Sequence, residues 1–512
     1  MFIRCFAGAV TGIDATVVTV EVHISAGIGM YLVGLPDNAV RESQERIRSA
    51  FENSGFRMSG KKVVVNLAPA DLRKEGSAYD ATIATAILAA SEQITAARTE
   101  QYMVMGELSL DGTLKPVRGI LPIAIRAKKA GFRGMIVPAA NASEAAVVKG
   151  LEVIGVERLG QIAGFLNGDL EVEPAVVETR ELFAADGNRY AEDFSDVRGQ
   201  ARVKRALEIA AAGGHNVLMI GSPGSGKTML ARRMPTIMPP LTLSEALETT
   251  KIHSVAGKLG THRGLLTLRP FRTPHHLTSQ VALIGGGTNP QPGEVSLAHN
   301  GILFLDELPE FGRSQLEVLR QPLEDKKITV SRARYSVEYP ANFILVGAMN
   351  PCPCGYYNHP AKECVCSSGA VLKYMNRISG PLLDRIDLHV EVTPVPLEQM
   401  TGPAAGESSA VIRERVVRAR EVQARRFGQA EGVHTNAMMN SRMLREFCPL
   451  DRQAAEVLGA AMERLNLSAR AYDRIIKVAR TIADLEGSER ITVRHIGEAI
   501  NYRSLDRADW GR

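Results

Sequence analysis

The chain has 512 residues, 45% of them apolar and 23% charged, with a formal net charge of +5. This is an ordinary globular composition on a chain too long for one core, so about three domains are expected, and the mild basicity alone argues for no polyanionic partner. No apolar run is long enough to span a bilayer and Met1-Phe2-Ile3-Arg4-Cys5 lacks a signal-peptide layout, which excludes membrane-spanning function and makes the cytoplasm the expected location.

In the first third, short β-like runs at 17–24 and 62–67 alternate with amphipathic helical stretches at 38–54, 79–90 and 121–130, the last followed by Met135-Ile136-Val137. The pattern reads as an α/β domain over 1–166 without a nucleotide fingerprint. Three stretches resemble the proteolytic domain of Lon: Leu67-Ala68-Pro69-Ala70, Lys74-Glu75-Gly76-Ser77-Ala78-Tyr79-Asp80-Ala81, and Gly106-Glu107-Leu108-Ser109-Leu110-Asp111-Gly112 with Pro116-Val117-Arg118-Gly119. Peptidases of that family use a serine activated by a neutral lysine. Laid on their motif, Ala78 takes the serine's place and Ile120-Leu121-Pro122-Ile123 the lysine's. The resemblance therefore implies a Lon-like fold without peptidase activity; Ser77, next door, is a fallback nucleophile without a partner lysine. Residues 167–192 are polar and acidic and read as a linker.

The next domain is expected over 193–400. Asp193-Phe194-Ser195-Asp196-Val197-Arg198-Gly199-Gln200 leads into a helix at 201–212, and the apolar run Asn216-Val217-Leu218-Met219-Ile220 follows. That run opens into Gly221-Ser222-Pro223-Gly224-Ser225-Gly226-Lys227-Thr228. Strand, glycine-rich loop and helix start are the context of a phosphate-binding P-loop. Its glycines let backbone N–H groups face anionic oxygens, Lys227 would reach the β- and γ-phosphates of ATP, and Thr228 would place its hydroxyl on Mg²⁺. Gly301-Ile302-Leu303-Phe304-Leu305-Asp306-Glu307 reads as a buried parallel strand that delivers two carboxylates at its C-terminal edge. Asp306 would hold Mg²⁺ through water, and Glu307 would polarise the attacking water. Another buried strand, 342–349, ends at Asn350, which fits a position contacting the γ-phosphate or the lytic water.

Six cysteines make no disulfide framework in a chain of this length, and four of them crowd into the loop 352–366. Cys352-Pro353-Cys354 and Cys364-Val365-Cys366 can supply a tetrahedral S₄ site, so a structural Zn²⁺ is expected. Free thiols and a redox pair are the alternatives, and His359 is a substitute ligand. Adjacent histidines on extended backbone face opposite ways, so His275-His276 is read as packing or hydrogen bonding.

The segment from Arg377 through Arg385-Ile386-Asp387-Leu388 resembles the arginine-bearing segment of magnesium-chelatase and MCM-type AAA+ ATPases. It implies that Arg385, with Arg377 second, enters the neighbouring subunit's site, and hence that copies of the chain self-associate into a hexameric ring. In AAA+ proteins the leader before the P-loop packs on adenine, which makes Val197 and Gly199 candidate base contacts. The resemblance also implies two insertions directed into a central channel: 242–300, and a hairpin carrying Lys326, Lys327, Arg332 and Arg334 that would track a phosphate backbone. Beyond a linker at 401–409, residues 410–512 read as helical, arginine-rich at 411–426 and strongly periodic at 467–485 with Ser468 as N-cap. The latter resembles the AAA+ lid helix and implies Arg470 as a second sensor reaching the γ-phosphate.

Together these features resemble the magnesium-chelatase-like AAA+ ATPases of the ComM/YifB type over nearly the whole chain. The fold implied is α/β: a Lon-protease-like domain lacking the dyad, a P-loop core with a parallel sheet, and an α-helical lid. The activity implied is ATP hydrolysis with Mg²⁺, in a helicase that promotes DNA branch migration during natural transformation. A protein-remodelling or metal-inserting ATPase acting on a partner complex is the alternative, and an ATP-switched scaffold the third.

Overall fold

Alternation of apolar residues builds the first sheet. In the computed structural model, Phe2–Thr11 (β1) and Asp14–Ser25 (β2) pair antiparallel around Gly12, whose φ of +63° favours glycine. Val18, Val20 and Val22 of β2 are wholly buried while the residues between them are not, the period of two that a one-sided sheet requires. Residues 1–186, 190–260, 264–287, 290–332, 335–395, 406–428 and 432–503 are described. They fall into two compact units: Met1–Asp186 with Thr242–Thr267, and Gly187–Leu241 with Leu268–Arg512.

The first unit continues with Met30–Val33 (β3), Lys62–Ala68 (β4) and Tyr102–Val104 (β5), a small ribbon of Glu107–Leu108 (β6) and Leu114–Lys115 (β7), then Gly134–Pro138 (β8) and Glu152–Val156 (β9). Its seven-stranded sheet runs β3-β4-β2-β1-β5-β8-β9, mixed in direction. The helix Asp80–Ala90 is buried along its whole length, and Arg46 holds its first residue, Asp80, with hydrogen bonds of 2.6 and 3.0 Å. The helix expected at 38–54 is two, Asn38–Arg41 and Ser43–Asn53.

The 242–300 insertion is not a single projecting element, because Thr242–Thr267 is built into the first unit. Its helix, Leu243–Val255, is capped at Thr242 by a reciprocal pair with Glu245. At the far end Ser254 accepts the Gly119 N–H at 3.3 Å, and its hydroxyl donates to the buried Glu144. Glu144 also accepts the Leu121 N–H at 2.8 Å. Burial raises the Glu144 pKa although these hydrogen bonds oppose it. Ile252 of the helix Leu243–Val255 is wholly buried.

The second unit contains a five-stranded, all-parallel sheet. Its chain order is Val217–Gly221 (β10), Phe271–Arg272 (β11), Gly285–Gly286 (β12), Gln291–Pro292 (β13), Ile302–Leu305 (β14), Lys327–Arg332 (β15), Tyr335–Pro340 (β16), Ile344–Met349 (β17) and Leu388–Val392 (β18). The sheet order is β11-β14-β17-β10-β18, and β12–β13 and β15–β16 are separate hairpins. Every residue of β10, β14 and β17 is buried, as expected for strands covered on both faces. Asn216 pins their N-terminal edge: its side chain accepts the Leu345 N–H and donates to the Arg385 carbonyl, each at 2.9 Å. The helices Ala201–Gly213, Ser409–Phe427 and Ala469–Leu485 share one apolar core with this sheet, joining Leu207 and Ala210 to Val416, Ile475 and Ile482. The C-terminal helical region is thus part of the same unit as the P-loop core.

Candidate active site

Parallel strands place their following loops along one edge, and ligands bind there. Gly221 ends β10, Asp306 follows β14, and Asn350 follows β17. The loop between Gly221 and Lys227 turns on Gly224 and Gly226, with φ of +78° and +92°. Lys227 opens the helix Lys227–Ile237, and its ammonium donates to the carbonyls of Gly221 (2.7 Å) and Ser222 (3.0 Å) and to Asn350 Oδ1 (3.2 Å). Burial lowers the Lys227 pKa, and the charges of Asp306 and Glu307 oppose that shift. The Thr228 hydroxyl donates to Asp306 Oδ2 at 2.7 Å. Four expected residues from three strand ends therefore meet: Lys227, Thr228, Asp306 and Asn350.

Glu307 lies beside them in a left-handed conformation, φ +51°, which is uncommon away from glycine. Its N–H donates to Asp306 Oδ1 at 3.0 Å, while its carboxylate lies 3.4 Å from Nδ1 of His276. The His276 ring is fixed between His275, centroids 4.1 Å apart, and the edge of Phe311 at 6.3 Å. The two histidines do not face opposite ways: His276 lies in a turn, not on extended backbone, which brings their rings together, and His276 also contacts the candidate base, a role that sequence reasoning missed. Spacing offers no signal for it, since Glu307 is far along the chain. Val197 is buried in the core of the unit. Arg377 pairs at 2.8 Å with Glu310, three residues beyond Glu307.

Arg385 and Arg470 stand elsewhere. Arg385 precedes β18 at the N-terminal edge of the sheet, one strand length or about 16 Å from the P-loop edge. Its side chain is 6% exposed, pairs with Glu324 at 2.6 Å and donates to the Pro381 carbonyl at 2.6 Å. Arg470 is exposed on the first turn of Ala469–Leu485. One turn on, Arg474 pairs at 2.7 Å with the wholly buried Asp387, which also accepts the Asn216 N–H at 3.0 Å. Burial would raise the Asp387 pKa, but Arg474, His215 and the Asn216 N–H hold it well below the usual range. The hydrogen bond from Arg385, together with the charges of Arg385, Arg470 and Arg474, lowers the Glu324 pKa against burial, so these arginines form one cluster. The structure does not bring Arg385 or Arg470 to Lys227 of the same chain.

The basic hairpin is also differently disposed from the expectation. Lys326 is at its base, where burial pushes its pKa down to about 8 and Asp387 only partly opposes the shift. Lys327 pairs with Glu338 across the hairpin at 2.9 Å. The Arg332 side chain and all of Arg334 lie outside the described residues.

The thiols of Cys352, Cys354, Cys364 and Cys366 all lie within 4.8 Å of one another, with separations of 3.3, 3.5 and 3.7 Å among the first three. Sulfurs about 2.3 Å from a tetrahedral Zn²⁺ are about 3.8 Å apart, so this donor set fits the ion. His359 is not in the cluster; its Nδ1 accepts the N–H groups of Ala361 (3.1 Å) and Lys362 (3.0 Å). In the first unit, Ala78 offers no nucleophile, Ser77 donates its hydroxyl to Glu107, and Lys74 donates to the carbonyls of Gly34 and Pro69.

Residues 193–400 match the family described as Magnesium chelatase, subunit ChlI; 20–141 match Subunit ChlI of Mg-chelatase, and 406–503 match Magnesium chelatase, subunit ChlI C-terminal. Competence protein ComM of Haemophilus influenzae is 45% identical over 98% of this chain and 97% of its own length. The uncharacterized protein YifB of Escherichia coli is 46% identical over 98% of this chain and 96% of its own. The chain belongs to the ComM/YifB family of magnesium-chelatase-like AAA+ proteins. In this ComM/YifB chain a shorter likeness covers 31% of the residues, at 31% identity to Lon protease 2 of Bacillus subtilis, in keeping with the Lon-like first unit. Membership in an AAA+ family implies ATP and Mg²⁺ at the P-loop site, and Lys227, Thr228 and Asp306 have the chemistry to hold them. Among the described residues no helix is long and apolar enough to cross a membrane.

Proposed function

We propose that this protein is a ring-forming ATPase that uses ATP hydrolysis to move DNA, as a helicase acting on branched recombination intermediates during DNA uptake. The observation that carries the reading is the division of catalytic groups between opposite edges of one parallel sheet. Lys227, Thr228, Asp306 and Asn350 meet at the C-terminal edge, while Arg470 stands exposed with Arg385 and Arg474 at the other. A second copy in a head-to-tail ring would bring the missing cation to the phosphate half-site.

Lys227 and the loop N–H groups would bind the phosphates, and Thr228 with Asp306 would hold Mg²⁺, which supplies charge neutralisation on the β- and γ-oxygens. Glu307 would turn from His276 toward the attacking water and take its proton, with Asn350 orienting that water. An arginine of the neighbour would stabilise charge on the γ-phosphoryl oxygens. The relation to the competence protein ComM supports the DNA assignment. In this reading the Lon-like unit has no peptidase role, the cysteine cluster holds structural Zn²⁺, and the protein works in the cytoplasm.

The test is the ATPase rate of the intact chain at low salt, alone and with single-stranded or forked DNA. Stimulation by DNA that falls steeply with added salt is expected. An unchanged rate with every DNA form would refute the DNA motor, and stimulation by a protein partner alone would point to remodelling.

A further inference from the structure

The cysteine loop touches the nucleotide site on two sides. At its start only Pro351 separates Cys352 from Asn350, whose Oδ1 accepts from Lys227 at 3.2 Å. Five residues beyond Asn350 the loop lies against the P-loop itself. Gly355, with φ of +84°, approaches Pro223 so closely that a Cβ there would stand 2.6 Å from Pro223 Cδ. Residues 351–367 contain no helix or strand, and Val365 is 85% exposed. Little apolar burial is therefore available to fix the loop. The buried Cys352, whose Sγ accepts the Tyr357 N–H at 3.3 Å, and the three thiols gathered around it are what close it.

We propose that a soft divalent cation bound by Cys352, Cys354, Cys364 and Cys366 sets the shape of the nucleotide site. With the ion in place, Gly355 stays against Pro223 and Asn350 stays within reach of Lys227. Without it the four thiols are no longer tied together, only weak contacts such as that of Lys362 with Tyr356 span the loop, and both supports relax together. Thiolates select soft ions such as Zn²⁺, and in a segment with so little packing the binding energy of the ion is the folding energy of the loop. The inference rests on the P-loop reading above and adds a control on that site: metal loading governs nucleotide affinity.

The experiment uses the full chain. Zinc is counted by elemental analysis, removed with a mercurial thiol reagent and a chelator, and the reagents are cleared with excess dithiol and desalting. Binding of a fluorescent ATP analogue with Mg²⁺ is then compared between loaded protein, stripped protein and stripped protein given back Zn²⁺, with far-ultraviolet circular dichroism reporting the global fold. About one zinc per chain is expected, with affinity about tenfold or more weaker on stripping and recovered with zinc. Gly355→Ala, which leaves all four cysteines intact, should keep its zinc yet bind the analogue several-fold more weakly, because the new Cβ displaces Pro223. Metal far below one equivalent in protein of full affinity overturns the proposal, and so does equal affinity with and without zinc. If the loaded protein binds no analogue at all, the P-loop reading fails as well; equal binding by both forms sinks only the link to the metal.

Discussion

Arg474→Ala removes the guanidinium 2.7 Å from Asp387 and leaves behind a carboxylate with no exposed surface. At an effective dielectric near 20, unit charges about 4 Å apart attract by about 4 kcal/mol, and breaking a buried pair costs about 3–5 kcal/mol. The two partners are not equivalent: the Arg474 side chain keeps 17% of its surface in solvent and Asp387 none. Asp387→Asn retains the shape and an acceptor for the Asn216 N–H and strands the partly exposed Arg474 rather than a fully buried carboxylate, so it should cost about half as much. In a unit of this size each kcal/mol lowers the melting temperature by about 2–3 °C. Scanning calorimetry at pH 7.5 should therefore show Arg474→Ala melting about 6–15 °C below wild type, with Asp387→Asn between them. The double variant should be less damaged than the sum of the two by about 0.5–3 kcal/mol. Because the native pKa of Asp387 lies below its unfolded value, its contribution is complete above about pH 3.9 and is lost only as pH falls from there through the native pKa. The Arg474→Ala deficit should thus persist at pH 5. A deficit of under about 2 °C, or Asp387→Asn melting below Arg474→Ala, would refute the assignment of this pair as the anchor of the helix that carries Arg470.

His276→Ala frees the Glu307 carboxylate from a half-exposed pair 3.4 Å long. Such pairs contribute about 0.2–1 kcal/mol, so basal hydrolysis without DNA should rise by about 1.4- to 5-fold in steady-state assays; a lower rate would mean that His276 assists Glu307. Burial, then the charge of Arg503, pushes the His389 pKa well below 6.5. The unfolded chain therefore takes up a proton that the native chain refuses, and stability falls as pH drops below about 6.5. His389→Leu should flatten this loss by about 1.4 kcal/mol per pH unit, read as a smaller difference in melting temperature between pH 6.5 and pH 5; an unchanged slope would mean that His389 is protonated in the native protein.

What could be read in the sequence depended on how local its cause is. Gly224, Gly226, Lys227 and Thr228 act through a loop whose shape is set within eight residues; the two glycines take positive φ, and Lys227 and Thr228 meet Asn350 and Asp306. Uninterrupted apolar runs correctly marked β14 and β17, so Asp306 and Asn350 followed. Ser468 was legible as a cap and accepts the Ala471 N–H at 3.2 Å. β1 was not recognised because its middle is Ala7-Gly8-Ala9, small residues chosen by close packing: a Cβ on Gly8 would lie 2.5 Å from Ile123. The helix Leu243–Val255 has a visible capping pair, but nothing near it tells that Ser254 meets Glu144, 110 residues earlier. Arg385 shows the same limit, since its partner Glu324 is brought to it only by the packing of the sheet.

The central claim is that one catalytic site is assembled from two copies of the chain, and mixing two inactive variants tests it most directly. Lys227→Ala removes the phosphate-binding cation and Arg470→Ala the exposed arginine at the opposite sheet edge; each alone should abolish hydrolysis. In a random equal mixture, about a quarter of head-to-tail interfaces pair an intact Lys227 with an intact Arg470, so the mixture should recover about a quarter of the wild-type ATPase rate. No recovery, from variants shown to assemble together, would contradict the account.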